Sequence, residues 1–436
     1  MPNPIKPPSS LLRVLGISFG VAMLIGNSIG GGIIRMPGVV ASYTPNASII
    51  ILLWVLGGVL ALAGAFVYAE ASAAYQFTGG PFVFSEKVFG IRAGFSVGFI
   101  DWFFNVAGTS ALAVAIGEYI VPYLGPGWSI PLVACIIVIL LSISQWFGIQ
   151  MGSAIQKGLS GLKAAGLLFL VIAFFLHGRA HGTTSTTSLS PVVGFSVIIL
   201  ALRAITFTYS GWNSPIYFSE ENNDPAKSIP RSLIIGVLLL TFNYVIVNIS
   251  MLYMMPPAVL AKSTMAVADG ANIALGSNAK TIVTVLSIII IMSGTYAGIL
   301  YVPRIIFGMA RSGSFFSVVS RLNRYKIPGV ALIITSVVCI AIIFTGSFEF
   351  ISAITTFLYL FVDTTVYLAA LVSRWKKKTS LPFKAPMFPV LHVFMIAINI
   401  ALLIGISTED IKSSLYGLGA ILLTIPLYTI FKKQKN

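Results

Sequence analysis

Charged residues are scarce in this chain, since Asp, Glu, Lys and Arg make up 9% of its 436 residues. A soluble globular protein carries about 25%, so the composition excludes that class. Apolar residues make up 57% and gather in runs of about 20 residues, the length at which a helix crosses a bilayer. The sequence therefore predicts an all-α polytopic membrane protein.

Cysteine and histidine are also rare, with two and three copies. Cys135 and Cys339 both lie inside apolar runs, which excludes a disulfide framework. His177 and His181 lie in a polar loop, and His392 begins an apolar segment at a predicted interface, so none has metal-site spacing. The sequence carries no nucleotide-binding loop and no haem motif. We therefore expect no metal and no cofactor, and we do not expect a primary pump.

Twelve apolar segments predict twelve transmembrane helices. Their approximate bounds are 14–42, 49–75, 94–121, 130–147, 155–177, 193–219, 232–256, 280–309, 329–346, 349–373, 388–406 and 413–431. Tails at 1–13 and 432–436 flank them.

Lysine and arginine predict the orientation, because cytoplasmic loops are enriched in them. With the N-terminus inside, most of the 27 Lys and Arg residues fall on the cytoplasmic side, and the loops outside hold Arg179, Lys262, Lys280 and Lys412. We expect a plasma (inner) membrane protein with both termini in the cytoplasm. The net charge of +15 then flanks the membrane and does not indicate nucleic acid.

The first segment contains a stretch that does not suit an uninterrupted helix. It reads Gly26-Asn27-Ser28-Ile29-Gly30-Gly31-Gly32-Ile33-Ile34. Each glycine costs a helix about 1 kcal/mol relative to alanine, and backbone that leaves a helix inside a membrane needs a partner other than lipid. A bound solute can be that partner. Close helix packing across small residues is the alternative.

The sixth segment is also interrupted near its middle. It reads Phe207-Thr208-Tyr209-Ser210-Gly211-Trp212-Asn213-Ser214-Pro215. A spacing of five spans means that the two broken segments cross the membrane in opposite directions. Paired interruptions of this kind indicate an inverted repeat whose breaks form a transporter's binding site. We predict repeats over 14–177 and 193–373 and two peripheral helices over 388–431.

The chemistry of such breaks favours a zwitterion. The N-terminus of a half-helix offers unpaired N–H groups and positive dipole charge, which suit a carboxylate. The opposing helix end offers bare carbonyls, which suit an ammonium group. An α-amino acid satisfies both ends without an ionised protein side chain.

These motifs resemble those of the amino acid–polyamine–organocation superfamily, and in particular its L-type amino acid transporter branch and bacterial relatives. The matching stretches are Gly26–Ile34, Ala69-Glu70, Gly79–Pro81, Tyr209–Asn213, Glu220–Arg231, Arg304 and Ala310–Gly313. The resemblance covers the first ten segments. It implies a LeuT-type fold of ten core helices, discontinuous in the first and sixth, that works by alternating access.

The resemblance also implies a substrate site. Its implied members are Asn27, Ser28, Ile29, Gly30, Gly31, Gly32, Ile33, Phe207, Tyr209, Ser210, Gly211, Trp212 and Asn213. Amides around Gly31 and Gly32 are expected to bind the substrate carboxylate. Carbonyls of Ser28, Phe207 and Ser210 are expected to bind its ammonium group, and the Phe207 ring to close over it from outside.

Lys163 in the fifth segment matches a lysine characteristic of sodium-independent members, so its ammonium is expected to tie that segment to the first break. The chain departs from the family at Gly31, where serine is usual, at Ile34, where Phe is usual, and at Arg35, which replaces an apolar residue. The cysteine that links some members to a heavy chain is absent. We expect no disulfide-linked heavy chain.

Charges within spans are functional candidates, because each is costly unless paired. Asp101 and Asp363 are possible pathway charges, with an ion pair in the helix packing as the alternative. Arg203 and Arg35 are the opposing candidates. If the arginines face the route, the substrate is anionic or zwitterionic; if the aspartates face it, the substrate is cationic.

Further polar residues complete the prediction. Asn105, Trp212, Asn213 and Gly294 are possible lining residues, with plain helix packing as the alternative. An inner gate is expected to pair acidic with basic residues, with a solvated surface as the alternative; its members are Glu70, Glu220 and Glu221 with Arg231, Arg304 or Arg311.

The sequence thus predicts a sodium-independent secondary transporter of a neutral or cationic α-amino acid, working as an exchanger or a proton-coupled permease, and not an enzyme. A membrane-embedded enzyme would need a catalytic dyad in a shared cavity, and no such cluster stands out. The alternatives are a polyamine or anionic amino acid antiporter of the same fold and a sensor that binds an amino acid without transport.

Overall fold

The computed structural model describes residues 11–44, 46–178, 195–276, 279–344, 348–376, 381–409 and 411–433. Across these residues the fold is α-helical, and the one β-type contact is an isolated bridge between Leu15 and Asn222. The helices are α1 (Ile17–Ser28), α2 (Gly31–Tyr43), α3 (Ala47–Ala74), α4 (Pro81–Phe89), α5 (Ile91–Ile120), α6 (Ile130–Trp146), α7 (Ile149–His177), α8 (Phe195–Tyr209), α9 (Pro225–Met254), α10 (Pro257–Leu260), α11 (Ala266–Leu275), α12 (Ala279–Ser312), α13 (Gly329–Ile343), α14 (Phe348–Lys376), α15 (Val390–Glu409) and α16 (Ile411–Lys433). Short 3-10 helices lie at Val121–Tyr123, Ser214–Glu221 and Ser317–Ser320.

Within the described ranges, eight helices are long and apolar enough to cross a membrane, and the bent pair of α1 and α2 makes up to nine. Two further predicted spans correspond to shorter apolar helices, α6 with 17 residues and α13 with 15. The structure therefore shows a polytopic membrane protein, while the count of twelve spans stays a prediction. The domain boundaries predicted above stay predictions too, and residues 193 and 194 lie outside the described ranges.

The long helices form because their residues are apolar on every side, as helices that meet lipid require. Leu52, Phe242 and Leu176 are 65%, 68% and 75% exposed. Side-chain caps appear at some helix starts: the Asn46 side chain accepts the Ile49 N–H at 3.2 Å at the start of α3.

One side of the helix bundle collects both ends of the described chain. Leu15, before α1, bridges to Asn222, just after the 3-10 helix Ser214–Glu221. The end of α12 reaches this 3-10 helix, and Phe315, beyond α12, stacks on Phe431 of α16 at 4.8 Å between ring centroids. We call this the terminal side and the opposite one the far side.

The bent helices lie among intact neighbours. Helix α1 packs against α7 and α9, and α8 packs against α2 and α3. An aromatic cluster joins these elements: the Tyr244 ring of α9 makes edge contacts with Trp54 of α3 and Tyr209 of α8, at 5.7 and 4.9 Å between centroids. This packing holds the two helix breaks side by side.

His392 lies near the start of α15, and its predicted position at the membrane interface stays a prediction. Its side chain is fully buried, with the ring edge-on to Phe388 at 5.2 Å and Nε2 3.7 Å from a Glu70 oxygen. The residue begins a span in sequence, and the Phe388 ring, just before α15, contacts its ring. His181 and Arg179 lie outside the described residues.

Candidate functional site

The first break separates α1 from α2 by two extended residues and a bend of 52°. Helix α1 ends at Ser28, Ile29 and Gly30 are extended, and α2 begins at Gly31. Gly30 provides no side chain to cap the N–H groups of the first α2 turn. These amides are therefore open to a ligand, with the positive end of the α2 dipole behind them.

The second break follows α8, which ends at Tyr209. Gly211 has φ +90°, a left-handed conformation that favours glycine. A Cβ there would also lie 2.7 Å from the Asn27 amide nitrogen. That nitrogen donates to the Gly211 carbonyl at 3.0 Å. Asn27 thereby links the first break directly to the second.

Tyr244 on α9 makes a second link between the breaks. Its hydroxyl lies within hydrogen-bond distance of the carbonyl oxygens of Ser28, at 2.8 Å, and Thr208, at 2.9 Å. Sequence reasoning missed this residue, because a lone tyrosine in an apolar span has no spacing pattern that marks it. The Ser28 carbonyl, which was expected to bind the substrate ammonium group, therefore already accepts a hydrogen bond from Tyr244.

Lys163 on α7 reaches the first break from the other side. Its Nζ donates to the carbonyls of Gly26 at 2.8 Å and Ile29 at 2.5 Å, and the side chain is fully buried. Within the described residues, no carboxylate lies in salt-bridge contact with it. The carbonyl end of α1, which carries partial negative charge, therefore solvates the ammonium group.

A cavity of about 240 Å³ lies against both breaks. The predicted site residues in its lining are Asn27, Ser28, Gly30, Gly31, Gly32, Phe207, Ser210, Gly211 and Asn213. Other lining residues come from α5, α12, α14 and α15 and include Asn105, Gly294, Tyr301, Tyr359 and Leu402. The cavity is thus formed where the broken helices face intact ones.

Four predicted site residues are not in this lining. Ile29 and Ile33 are buried in the helix packing. The Tyr209 hydroxyl donates to the Trp54 carbonyl at 3.0 Å, and the Trp212 ring is likewise turned away, edge-on to another tyrosine. These residues support the breaks and lie behind the cavity surface.

The intramembrane charges divide between the cavity and the layer behind it. Arg203 lines the cavity, whereas Arg35 is exposed elsewhere. Asp101 is buried behind Asn105, and Asp363 lines a second cavity of about 30 Å³. Among the described residues, no Asp or Glu lines the main cavity.

Further lining residues were missed by sequence reasoning. They include Phe104, Gly108, Thr109, Leu112, Tyr217 and Tyr301. Helical periodicity places Gly108 and Leu112 on one face of α5, but an apolar span gives no signal for which face meets the cavity. Among the described residues, no group of three or more His, Cys, Asp or Glu is arranged to hold a metal.

Buried ion pairs lie on the terminal side of the cavity, one turn beyond its lining residue Tyr217. Arg304 binds Glu221 through two hydrogen bonds, of 2.6 and 2.7 Å, with both side chains at most 1% exposed. Arg311 donates to Glu220 at 2.5 Å. The expected pairing of these glutamates with Arg304 and Arg311 is thus present, while Arg231 is exposed.

Glu70 has a partner that the sequence did not predict. Its Oε2 accepts from Arg374 at 2.7 Å and from the Ala385 N–H at 2.6 Å. The predicted choice among the arginines at positions 231, 304 and 311 is therefore wrong for this residue. Arg374 lies at the end of α14, and that helix packs against α3 where Glu70 lies.

Towards the far side the cavity extends along α8, α14 and α15. Thr356 and Ile406 line it at this level, and Phe207 is 38% exposed. The lining of the cavity therefore continues towards the far side, where Phe207 is partly exposed.

Gly31 and Gly32 differ in the space around them, which gives a matched pair of substitutions. A Cβ at Gly32 would lie 3.1 Å from Thr208 Cγ2 and 3.2 Å from Thr208 Cα, whereas one at Gly31 would meet nothing within 4 Å. Overpacking costs about 1–3 kcal/mol. We expect Gly32→Ala to lower amino acid uptake by about tenfold or more and Gly31→Ser to retain it, as measured in proteoliposomes. Equal loss in both variants would contradict this assignment.

Two adjacent helix breaks around a solute-sized cavity, with buried ion pairs on its terminal side, are typical of membrane transporters. A family model described as amino acid permease matches residues 10–425. The chain therefore belongs to the amino acid permease family, within the amino acid–polyamine–organocation superfamily, and is related to L-type transporters.

Three relatives show the sequence similarity to known transporters. The serine/threonine exchanger SteT of Bacillus subtilis is 24% identical over 434 residues, covering 98% of each chain. The human large neutral amino acids transporter small subunit 2 is 26% identical over 96% of this chain and 80% of its own length. The mouse b(0,+)-type amino acid transporter 1 is 24% identical over 98% and 89%. These relatives are transporters, which confirms that the chain is not an enzyme.

Proposed function

We propose that this protein is a sodium-independent secondary transporter that exchanges neutral α-amino acids across the plasma membrane by alternating access. The observation that carries the proposal is the opposed chemistry of the two breaks within one cavity. The uncapped amides at Gly30, Gly31 and Gly32 offer donors to a carboxylate. At the opposing ends, the Ser28 carbonyl accepts from Tyr244 and the Phe207 carbonyl from Ser210, so an ammonium group would use the second lone pair of the Ser28 carbonyl.

Ser28 adds a donor beside these amides. The residue lines the cavity and is 5% exposed, and its hydroxyl is buried without a hydrogen-bond partner within the described protein. An unpaired buried hydroxyl costs about 1–3 kcal/mol, which a bound carboxylate would relieve. Ser28 can thus supply the hydroxyl that Gly31 lacks relative to its family.

The lining favours a neutral side chain over a cationic one. Burying a cation without a carboxylate partner is expensive, and no Asp or Glu lines the described cavity, whereas Arg203 does. This argument weighs against polyamines and cationic amino acids. The Bacillus relative is by name a serine/threonine exchanger and the human one a transporter of large neutral amino acids. Both names agree with a neutral substrate.

Alternating access follows from a proposed inverted repeat, with α1–α7 and α8–α14 as its halves. The helix contacts support this repeat. In the first half α1 packs against α9, the second span of the other half, and in the second half α8 packs against α3, the second span of the first half. The terminal side, which we assign to the cytoplasm from its Lys and Arg content, is closed. Transport then requires the Glu220 and Glu221 ion pairs to open while Phe207 closes the far side.

We also propose that no disulfide-linked heavy chain is needed. Cys135 and Cys339, the chain's two cysteines, are 8% and 1% exposed inside the helix packing. The human relative's name includes "small subunit", but neither thiol here can reach a partner chain without disrupting a helix. Uptake by the protein reconstituted alone is therefore the appropriate assay.

Sodium independence is the first test of this proposal. The ammonium group of Lys163 already occupies the carbonyls of Gly26 and Ile29, so no cation is required there. We expect counterflow of a labelled neutral amino acid into proteoliposomes to change less than about twofold when choline replaces sodium. Strict sodium dependence would contradict the role given to Lys163.

The same liposomes separate the alternatives. An exchanger needs amino acid inside, whereas a proton-coupled permease accumulates substrate in empty liposomes under an inward proton gradient. A sensor binds an amino acid, seen as a rise in melting temperature, without flux. Binding without flux in either format would replace the transport proposal with the sensor.

A further inference from the structure

Four residues from three elements form a hydrogen-bonded chain at one wall of the cavity. Asn105, Tyr217 and Tyr301 line the cavity and are called the polar wall here; Asp101 lies behind them, 1% exposed. Tyr301 donates to Asn105 Oδ1 at 2.6 Å. Asn105 Nδ2 donates to the Asp101 backbone oxygen at 2.7 Å and to its carboxylate at 3.0 Å. The Tyr217 hydroxyl lies 3.0 Å from both oxygens of that carboxylate.

All the hydrogen-bond donors of the polar wall bind acceptors of the wall itself or of Asp101. Both Asn105 amide hydrogens go to Asp101, and the single hydrogens of Tyr217 and Tyr301 go to Asp101 and Asn105. The Asn105 amide cannot be flipped by 180°, because its oxygen would then face the Asp101 backbone oxygen and carboxylate. The Asn105 amide nitrogen has no lone pair and can only donate, so its two bonds to Asp101 fix the amide's orientation and make Asn105 Oδ1 the acceptor of the Tyr301 hydroxyl.

What the wall offers the cavity is therefore acceptor lone pairs. One lone pair remains on Asn105 Oδ1, and others remain on the hydroxyl oxygens of Tyr217 and Tyr301. The neighbouring Thr109 hydroxyl is likewise turned to the Asn105 backbone carbonyl, at 2.8 Å. Donors lie at the start of α2, and Arg203 lines another part of the cavity, so the acceptor wall is separate from the donor groups.

We propose that the polar wall binds a hydrogen-bond donor on the substrate side chain, so that this protein selects short α-amino acids with a hydroxyl or carboxamide group over apolar ones of equal size. The proposal rests on the proposed function and names the substrate class of the same site. A side-chain carboxylate directed at the polar wall would bring acceptors to acceptors, so the wall itself does not bind one. Asp101 is a positioning residue: it does not line the cavity, and it acts through Asn105 and Tyr217.

Threonine and valine have nearly the same shape and test the wall directly. One hydrogen bond is worth about tenfold, and a site whose polar groups are left unpaired discriminates more strongly. We expect wild-type counterflow to favour threonine over valine by about tenfold or more in kcat/KM, with serine, asparagine and glutamine tested as further donors. Asn105→Leu keeps the side-chain volume and should lower this ratio to near one, through loss of threonine transport.

Two further variants separate recognition from stability. Tyr301→Phe removes one hydroxyl from the wall. Asp101→Asn places an amide group opposite the Asn105 amide, so that N–H donors can face each other. Both variants should raise KM for threonine by about tenfold with little change for valine. Ser110→Ala, on the same helix but directed at Cys339, should leave the ratio unchanged. For variants with low flux, the threonine-induced and valine-induced shifts in melting temperature give the same comparison.

The outcomes are distinct. Equal use of threonine and valine by the wild type would overturn the proposal for the wall while leaving amino acid transport intact. Equal loss of both substrates in Asn105→Leu would show that the wall holds the α-ammonium group, and would also overturn it. Absence of uptake and binding for every α-amino acid would overturn the proposed function itself.

Discussion

Replacing Lys163 by alanine should lower amino acid uptake by at least about a hundredfold while the protein still inserts into the membrane. The Lys163 ammonium group satisfies the carbonyls of Gly26 and Ile29, which lie before and within the first break. A hydrogen bond to a charged group contributes about 1.5–3 kcal/mol, and about 1.4 kcal/mol corresponds to a factor of ten. Losing two such bonds leaves the ends of the broken helix without their partner. Insertion should not suffer, since a buried lysine opposes it.

Matched variants separate charge from volume. Lys163→Met keeps an unbranched side chain of similar length, so we expect the same loss of uptake as with alanine. Lys157→Ala removes an exposed cation from the same helix and should leave uptake unchanged. Uptake is measured in proteoliposomes that contain equal amounts of correctly folded protein, as judged by gel filtration. Near-normal transport by the methionine variant would remove the ammonium group from the mechanism.

The position of this lysine shows how far a sequence can predict a site. Glycine clusters and a Ser-Gly pair inside apolar runs conflict with helix formation, so both breaks could be predicted from local chemistry alone. Gln156, Ser160 and Lys163 also lie on one face of α7 by helical spacing, and Ser160 donates to the Ala22 carbonyl of α1 at 2.7 Å. Such a polar stripe is a signal that the helix packs on polar backbone.

Other parts of the site lack any local signal. In sequence, Tyr244, Tyr217 and Tyr301 resemble tyrosines at a membrane interface. The packing of α9, of the 3-10 helix Ser214–Glu221 and of α12 brings them to the breaks. Glu70 and Arg374 are separated by 304 positions, so their pairing depends on how α3 meets α14. Trp212 lies at the break in sequence, yet the turn there directs its ring away from the cavity. The sequence therefore does not determine which of these side chains face the cavity.

Replacing Glu221 by glutamine should strongly impair both stability and transport. The Arg304 guanidinium is 1% exposed, stacks on Phe218 at 4.4 Å and uses two nitrogens to bind the Glu221 carboxylate. Removing one partner of a buried ion pair costs about 3–5 kcal/mol, because the other charge stays buried and uncompensated. We expect a clear fall in the melting temperature and at least about a tenfold loss of uptake. Lys227→Ala, at a surface pair whose side chains are 72% and 51% exposed, should change neither.

A double variant distinguishes a structural ion pair from one that works in the transport cycle. Glu221→Gln combined with Arg304→Met removes both charges, and neutral replacement of a buried pair is often close to neutral for stability. The melting temperature should therefore recover towards that of the wild type. If the pair closes the terminal side during each cycle, uptake should stay low in this stable variant, because no other bidentate contact among the described residues of α12 joins it to the 3-10 helix Ser214–Glu221. Recovery of uptake together with stability would show that the ion pair supports only the fold.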